Sequence, residues 1–170
     1  MGKIYSQLYH SPCGDLILGS FEGRLCLCDW IGASHRELID RRLRRELKAE
    51  FSDYPSALTK KAAEELSEYF EGRRRVFSAP LLPVGTDFQK IVWNSLGCIP
   101  YGETLSYGEL SSILGRPKGV RALASALGAN AISIFLPCHR IIGSDGSMTG
   151  YAGGLEAKRF LLSLEGKGLR

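Results

Sequence analysis

The sequence predicts an α+β fold: a small amino-terminal antiparallel sheet with helices, then a mostly helical carboxy-terminal half carrying a helix-turn-helix. Three observations point to it. Short apolar segments broken by Gly and Pro fill the first thirty residues, helical periodicity takes over after Ser34, and Ser78-Ala79-Pro80-Leu81-Leu82-Pro83-Val84-Gly85 interrupts both patterns.

Strands are expected at Ile4 to Tyr9, Leu16 to Ser20 and Leu25 to Trp30, as a three-stranded meander reversed at Ser11-Pro12-Cys13-Gly14-Asp15 and Phe21-Glu22-Gly23. Ser34 with Glu37 has capping-box spacing, and Ile39, Leu43, Leu47 and Phe51 then recur every four residues as one helical stripe. Arg36, Arg41, Arg42, Arg44, Arg45 and Lys48 stand against four acids there, which reads as a solvated face with internal ion pairs ahead of a nucleic-acid patch. A second helix is expected from Thr59 to Glu71, with Ala62, Leu66 and Phe70 on one side and Gly72 as its stop.

Beyond the break, Thr86 and Gln89 are spaced to cap a helix bearing Phe88, Ile91, Val92 and Leu96, and Ser106 and Glu109 to cap one bearing Leu110, Ile113 and Leu114. A third helix starts near Lys118. Its Gly119-Val120-Arg121-Ala122-Leu123-Ala124-Ser125-Ala126-Leu127-Gly128 is narrow and nearly uncharged, suited to docking in a groove without reading base edges or to close packing in a core. Ala131 to Leu136 reads as a buried strand running into Pro137-Cys138-His139-Arg140.

With 44% hydrophobic and 24% charged residues in 170, the chain has material for a packed core, which excludes disorder. No apolar run approaches the roughly 20 residues of a membrane-spanning helix, and Met1-Gly2-Lys3-Ile4-Tyr5-Ser6 lacks the apolar stretch and small-residue cleavage site of a signal peptide, so a cytoplasmic monomer without membrane contact is expected (nuclear in a eukaryote). The five cysteines are odd in number and sparse, implying reduced thiols. Cys26 and Cys28 share one strand face but fit no metal spacing, so no metal or other cofactor is expected, and Cys98 is expected to pack. A net charge of +4 permits a polyanionic partner without demonstrating one.

The chemistry concentrates at Cys138. A thiol becomes a nucleophile when a base or positive field favours its thiolate, and His139 and Arg140 stand next to it. Adjacent side chains usually diverge, so His139 would reach the thiol through a water or local turn geometry, oriented by an acid on the last helix. Spacing does not choose between Glu156 and Glu165.

Pro137-Cys138-His139-Arg140, with Asn130 before it and Gly150-Tyr151-Ala152-Gly153-Gly154 after it, resembles the active-site region of the methylated-DNA protein-cysteine methyltransferases, or O6-alkylguanine-DNA alkyltransferases. The resemblance runs from Asp87 through Trp93, Pro100-Tyr101-Gly102-Glu103, Ser106-Tyr107 and Arg121-Ala122 to Glu165-Gly166, and the first half is similar to the family's less distinctive domain. It implies a ribonuclease-H-like domain with linker at 1–81 and a winged-helix-like DNA-binding and alkyl-acceptor domain at 82–170. It further implies transfer of an alkyl group from guanine O6 or thymine O4 in double-stranded DNA to Cys138, which consumes the protein.

In that resemblance His139 is the base acting through a water, Glu165 polarises it, Tyr107 donates to the leaving purine, and Asn130 braces the hinge. Arg121, Ala122, Ala124, Ser125 and Arg140 fall at DNA contacts, with Arg121 filling the space of a flipped nucleotide. Tyr107, Tyr151, Ala152, Gly153 and Lys158 fall around the base pocket, where missing side chains admit a flat base. Ala131 stands where most members have proline and Ala124 where most have glycine, which bears on affinity and rate. The alternatives are a non-catalytic binder of alkylated DNA, which the acceptor Cys138 disfavours, and a cysteine hydrolase, which leaves the small-residue helix unexplained.

Overall fold

A computed structural model of the chain describes residues 2–116 and 119–166. Strands β1 (Gly2–Ser11), β2 (Gly14–Phe21) and β3 (Arg24–Trp30) form the expected antiparallel meander. At the second reversal Glu22 and Gly23 both take positive φ, 49° and 76°, the geometry that a two-residue hairpin turn requires. Ile4, Leu16 and Leu18 face the core.

Helix α1 (Arg36–Leu47) buries Ile39 and Leu43, but its stripe does not continue to Phe51. Lys48 adopts a left-handed conformation that ends the helix, and β4 (Ala49–Ser52) follows, pairing parallel to β1. A four-residue recurrence cannot register that break, because β4 owes its existence to a strand nearly fifty residues away. The Ser34 capping box is also absent: His35 is the N-cap, and the Ser34 hydroxyl lies 3.2 Å from its ring Nδ1. On the basic face Arg41 pairs with Glu37, as expected of a solvated surface. Arg36 instead turns inward to Asp29 and Asp40, and Arg42 donates to the Ala129 carbonyl at 2.8 Å.

Helix α2 (Ala57–Phe70), capped by Ser56 and Thr59, covers the sheet with Ala62, Leu66 and Tyr69. After it, Gly72 reverses the chain at φ 78°. The Pro-rich segment is not a loose linker. Glu65 accepts from the backbone N–H of Ser78 and Ala79, and Leu25 on the edge strand β3 exchanges hydrogen bonds with Pro80 and Leu82.

The second half contains α3 (Asp87–Leu96), β5 (Leu105–Ser106), α4 (Tyr107–Ile113), α5 (Val120–Gly128), β6 (Ile141–Ile142) and α6 (Leu155–Leu164). The Thr86 and Ser106 capping boxes form as expected. Helices α4 and α5 pack together around Gly115, while the start expected near Lys118 lies outside the described residues. Helix α5 buries Leu123, Ala126 and Leu127 and exposes Arg121, Ala122, Ala124, Ser125 and Gly128, so its small residues divide between a packed face and an exposed one. No described helix is long and apolar enough to cross a membrane.

Candidate active site

Residues 131–136 are buried as expected, but they form a tight irregular turn rather than a strand. The Cys28 N–H donates to the Ala131 carbonyl at 2.8 Å and Ser133 donates to the Cys28 carbonyl at 2.7 Å, so β3 has this turn on its outer edge. Inside it, Asn130 accepts from the Ile132 N–H and donates to the Leu136 carbonyl, each at 2.9 Å. Four hydrogen bonds therefore fix a hinge that lacks proline at Ala131. They also hold Ile134 at φ 73°, a costly conformation for a β-branched residue.

The turn delivers the chain into one turn of 3₁₀ helix, Cys138–Arg140, in which neighbouring side chains diverge. Cys138 lines a cavity of about 530 Å³, while His139 and Arg140 are buried behind it against Glu165 at the end of α6. Glu165 Oε2 accepts from Tyr69 at 2.5 Å, His139 Nε2 at 2.8 Å and Arg140 Nη2 at 3.1 Å, and Oε1 accepts from Arg140 Nε at 2.8 Å. Burial opposes ionisation of this carboxyl, but the donors outweigh it and hold the pKa down to about 2. Glu156 is exposed, so the choice between the two acids falls to Glu165.

Burial pushes the His139 pKa below its ordinary value although Glu165 pulls it up, so the imidazole is neutral at neutral pH. With Nε2–H donated to Glu165, the basic lone pair sits on Nδ1, which is buried and has no partner among the described residues. Burial raises the Cys138 thiol to about 11, against a hydrogen bond from Asn130 and the charge of Lys158. Cys138 therefore rests as a thiol, and a base would be required to make it a nucleophile. Cys98, expected to pack, is exposed instead. A small electrophile at about pH 7 is therefore expected to label Cys98 at least tenfold faster than Cys138, read by peptide mass; faster labelling of Cys138 would show a resting thiolate there.

Across the cavity, Tyr107 begins α4 and its hydroxyl oxygen accepts from Thr149 at 2.9 Å, which leaves the phenolic proton free to donate. Lys158 is buried beneath, donating to the carbonyls of Ile141 at 2.6 Å and Thr149 at 3.2 Å, and burial lowers its pKa. The cavity is also lined by Tyr151, Ala152, Ser34 and His35, and it meets the exposed face of α5 at Ala124 and Gly128. Its volume suits a small ligand.

The family model described as "6-O-methylguanine DNA methyltransferase, DNA binding domain" matches residues 87–167, and "6-O-methylguanine DNA methyltransferase, ribonuclease-like domain" matches residues 4–83. A methylated-DNA–protein-cysteine methyltransferase of Methanosarcina barkeri is 41% identical over 98% of this chain and all of that protein. The chain belongs to the methylated-DNA–protein-cysteine methyltransferase family. The Haemophilus influenzae member is 40% identical over 97% of this chain and 88% of its own length. Among solved structures, Mycobacterium tuberculosis OGT in complex with DNA superposes with a TM-score of 0.82 at 36% identity, covering 96% of this chain and 94% of that one. The α+β architecture is thus that of the family.

As a methylated-DNA–protein-cysteine methyltransferase, the chain brings Cys138, Asn130, Tyr107, Tyr151 and Ala152 to one cavity, with His139 and Glu165 directly behind it. Three sequence expectations need correction. Arg140 is not placed for DNA, because its guanidinium is buried on Glu165 and the Ile99 carbonyl. Gly153 does not make room for a base: a Cβ there would meet the Trp30 indole at 2.5 Å, so its small size serves packing on β3. Lys158 supports Thr149 from below instead of lining the pocket. Tyr69, Thr149, Ser34 and His35 were not read as site residues, Ser34 entering only as an expected helix cap. Tyr69 left a signal, lying seven residues after Ala62 and so on the same helical face.

Proposed function

We infer that this chain reverses DNA alkylation directly, transferring an alkyl group from guanine O6, or thymine O4, to its own Cys138 in one irreversible step. The single observation that carries this reading is the buried His139, next to Cys138 in the chain, with Nε2–H committed to Glu165 and Nδ1 without a partner among the described residues. His139 Nδ1 takes the thiol proton through a bridging water. The sulfur then attacks the alkyl carbon, a C–S bond forms, the C–O bond breaks, and the electron pair leaves on the purine, which Tyr107 protonates or hydrogen-bonds. The product thioether has no leaving path, so each molecule acts once. The reaction draws on side chains alone and calls for no cofactor.

A base inside a duplex cannot reach a half-buried thiol, so the nucleotide must rotate out. Helix α5 supports that step. Its exposed Ala122, Ala124 and Ser125 allow close approach to a minor groove, Arg121 extends from the same face, and the cavity opens beside it. We take residues 1–81 as the supporting domain and 82–170 as the docking and acceptor domain. Action is assigned to the compartment holding the DNA, the cytoplasm in the bacteria and archaea from which these relatives come. A non-catalytic lesion binder would have no use for an acceptor thiol such as Cys138 in the cavity wall.

Incubating the protein with a duplex containing one O6-methylguanine is expected to leave one methyl on Cys138, about one equivalent per protein, by peptide mass analysis. An adduct on Cys98, or several turnovers per molecule, would overturn the reading.

A further inference from the structure

Glu165 is one of the points where the two halves of the chain meet in hydrogen bonds. Tyr69 lies on α2 of the sheet-bearing half, is fully buried, and donates its hydroxyl to Glu165 Oε2 at 2.5 Å. We propose that Tyr69 is a positioning residue for alkyl transfer: it fixes the Glu165 carboxylate and limits how strongly Oε2 draws on the His139 N–H. The inference rests on the reading above, in which His139 is the base that deprotonates Cys138.

Two features support it. Tyr69 is held by ring contacts to Phe70, Phe77 and Tyr101, at centroid distances of 5.2, 5.5 and 6.2 Å, which a phenylalanine would also make. Packing therefore does not demand the hydroxyl, and a buried hydroxyl is costly unless it is hydrogen-bonded. Second, Oε2 is shared among Tyr69, His139 and Arg140, and an acceptor that serves three donors is weaker toward each. The charged and titratable groups around His139 are Glu165, Arg140, Lys158 and Cys138, with Tyr151 edge-on at 6.4 Å; Glu165 also faces Tyr69 and Tyr101. Tyr69→Phe leaves every charge in place and removes one donor.

Without that donor Oε2 becomes the stronger partner for His139 Nε2–H and favours the imidazolium. The test follows full-length Tyr69→Phe and the unaltered protein through single-turnover transfer from an O6-methylguanine duplex. It also titrates the ¹⁵N-labelled His139 ring by NMR, with the signal assigned by replacing the other two histidines, His10 and His35. Both the rising limb of the pH–rate profile and the ring titration are expected to move upward by about 0.5–1 pH unit. In a Glu165→Gln background Tyr69→Phe is expected to move the ring titration by less than about 0.2 unit, since the carboxylate that relays the effect is gone. An unmoved titration with Glu165 present, or the same shift in the Glu165→Gln background, would overturn the proposal. Loss of all transfer in the unaltered protein would instead overturn the role of Cys138, and the titration would still decide whether Tyr69 governs the Glu165–His139 pair.

Discussion

Glu165→Gln is expected to slow alkyl transfer to Cys138 by about 10²- to 10³-fold and to lower unfolding stability by roughly 3 kcal/mol at neutral pH. Four donated hydrogen bonds converge on the two carboxylate oxygens. An amide has one oxygen to accept them and turns an N–H₂ toward donors on the other side. The buried Arg140 then loses its counter-charge, the circumstance in which breaking an internal ion pair costs most. His139 loses the acceptor that keeps its proton on Nε2 and its lone pair on Nδ1, so the thiol proton has no ready destination.

The sign of the pH dependence follows. The Glu165 pKa lies at about 2 in the folded chain against an ordinary 4.5, so its stabilisation is complete above about pH 4.5 and disappears as pH falls through about 2. His139, depressed below 6.5, acts in the same direction: the unfolded chain binds its proton first, so stability falls as pH drops below that value. A protonated Glu165 resembles glutamine, and the stability gap between the two proteins should shrink by roughly half between pH 7 and pH 3. Urea titrations at the two pH values check this. A gap that stays constant would show that Glu165 stabilises by packing and not by charge.

Legibility followed the range of the interactions that build each part. The capping boxes at Thr86 and Ser106 and the turn at Glu22-Gly23 are settled within three or four residues, so sequence spacing found them. Strand β4 and the turn at 131–136 exist because of partners far away, β1 and Cys28 respectively; helical periodicity misassigned the first and an apolar run the second. Apolarity in Ala131 to Leu136 did report burial, but burial against a strand edge does not make a strand.

Cys138 and His139 stand side by side in sequence, whereas the carboxylate that holds the His139 ring is 26 positions on, and only tertiary structure separates Glu165 from Glu156. Arg140 misled for a related reason. An arginine beside a reactive cysteine reads equally well as a phosphate contact or as the buried counter-ion of a remote carboxylate, and the structure makes it the second.

Arg121→Ala and Tyr107→Phe are expected to separate DNA docking from chemistry. Arg121 is exposed on α5. If it fills the stack left by the rotated nucleotide, its loss should slow repair of duplex DNA by about 10²-fold, because a few kcal/mol of unstacking is then uncompensated. Reaction with free O6-alkylguanine incurs no such cost and should change by less than about threefold. Tyr107 lines the cavity and, with its oxygen accepting from Thr149, keeps its proton free for a ligand there. Losing that donor removes stabilisation of the departing purine, so Tyr107→Phe should slow both substrates alike, by about 10²-fold, with binding to undamaged duplex little altered. For both variants, affinity should still fall as salt rises, because docking on phosphates releases counterions whichever side chain is lost. Single-turnover rates on the two substrates decide the matter: equal losses for Arg121→Ala on duplex and free base would remove its flipping role and point to damage to α5, which buries Leu123, Ala126 and Leu127 against the rest of the domain.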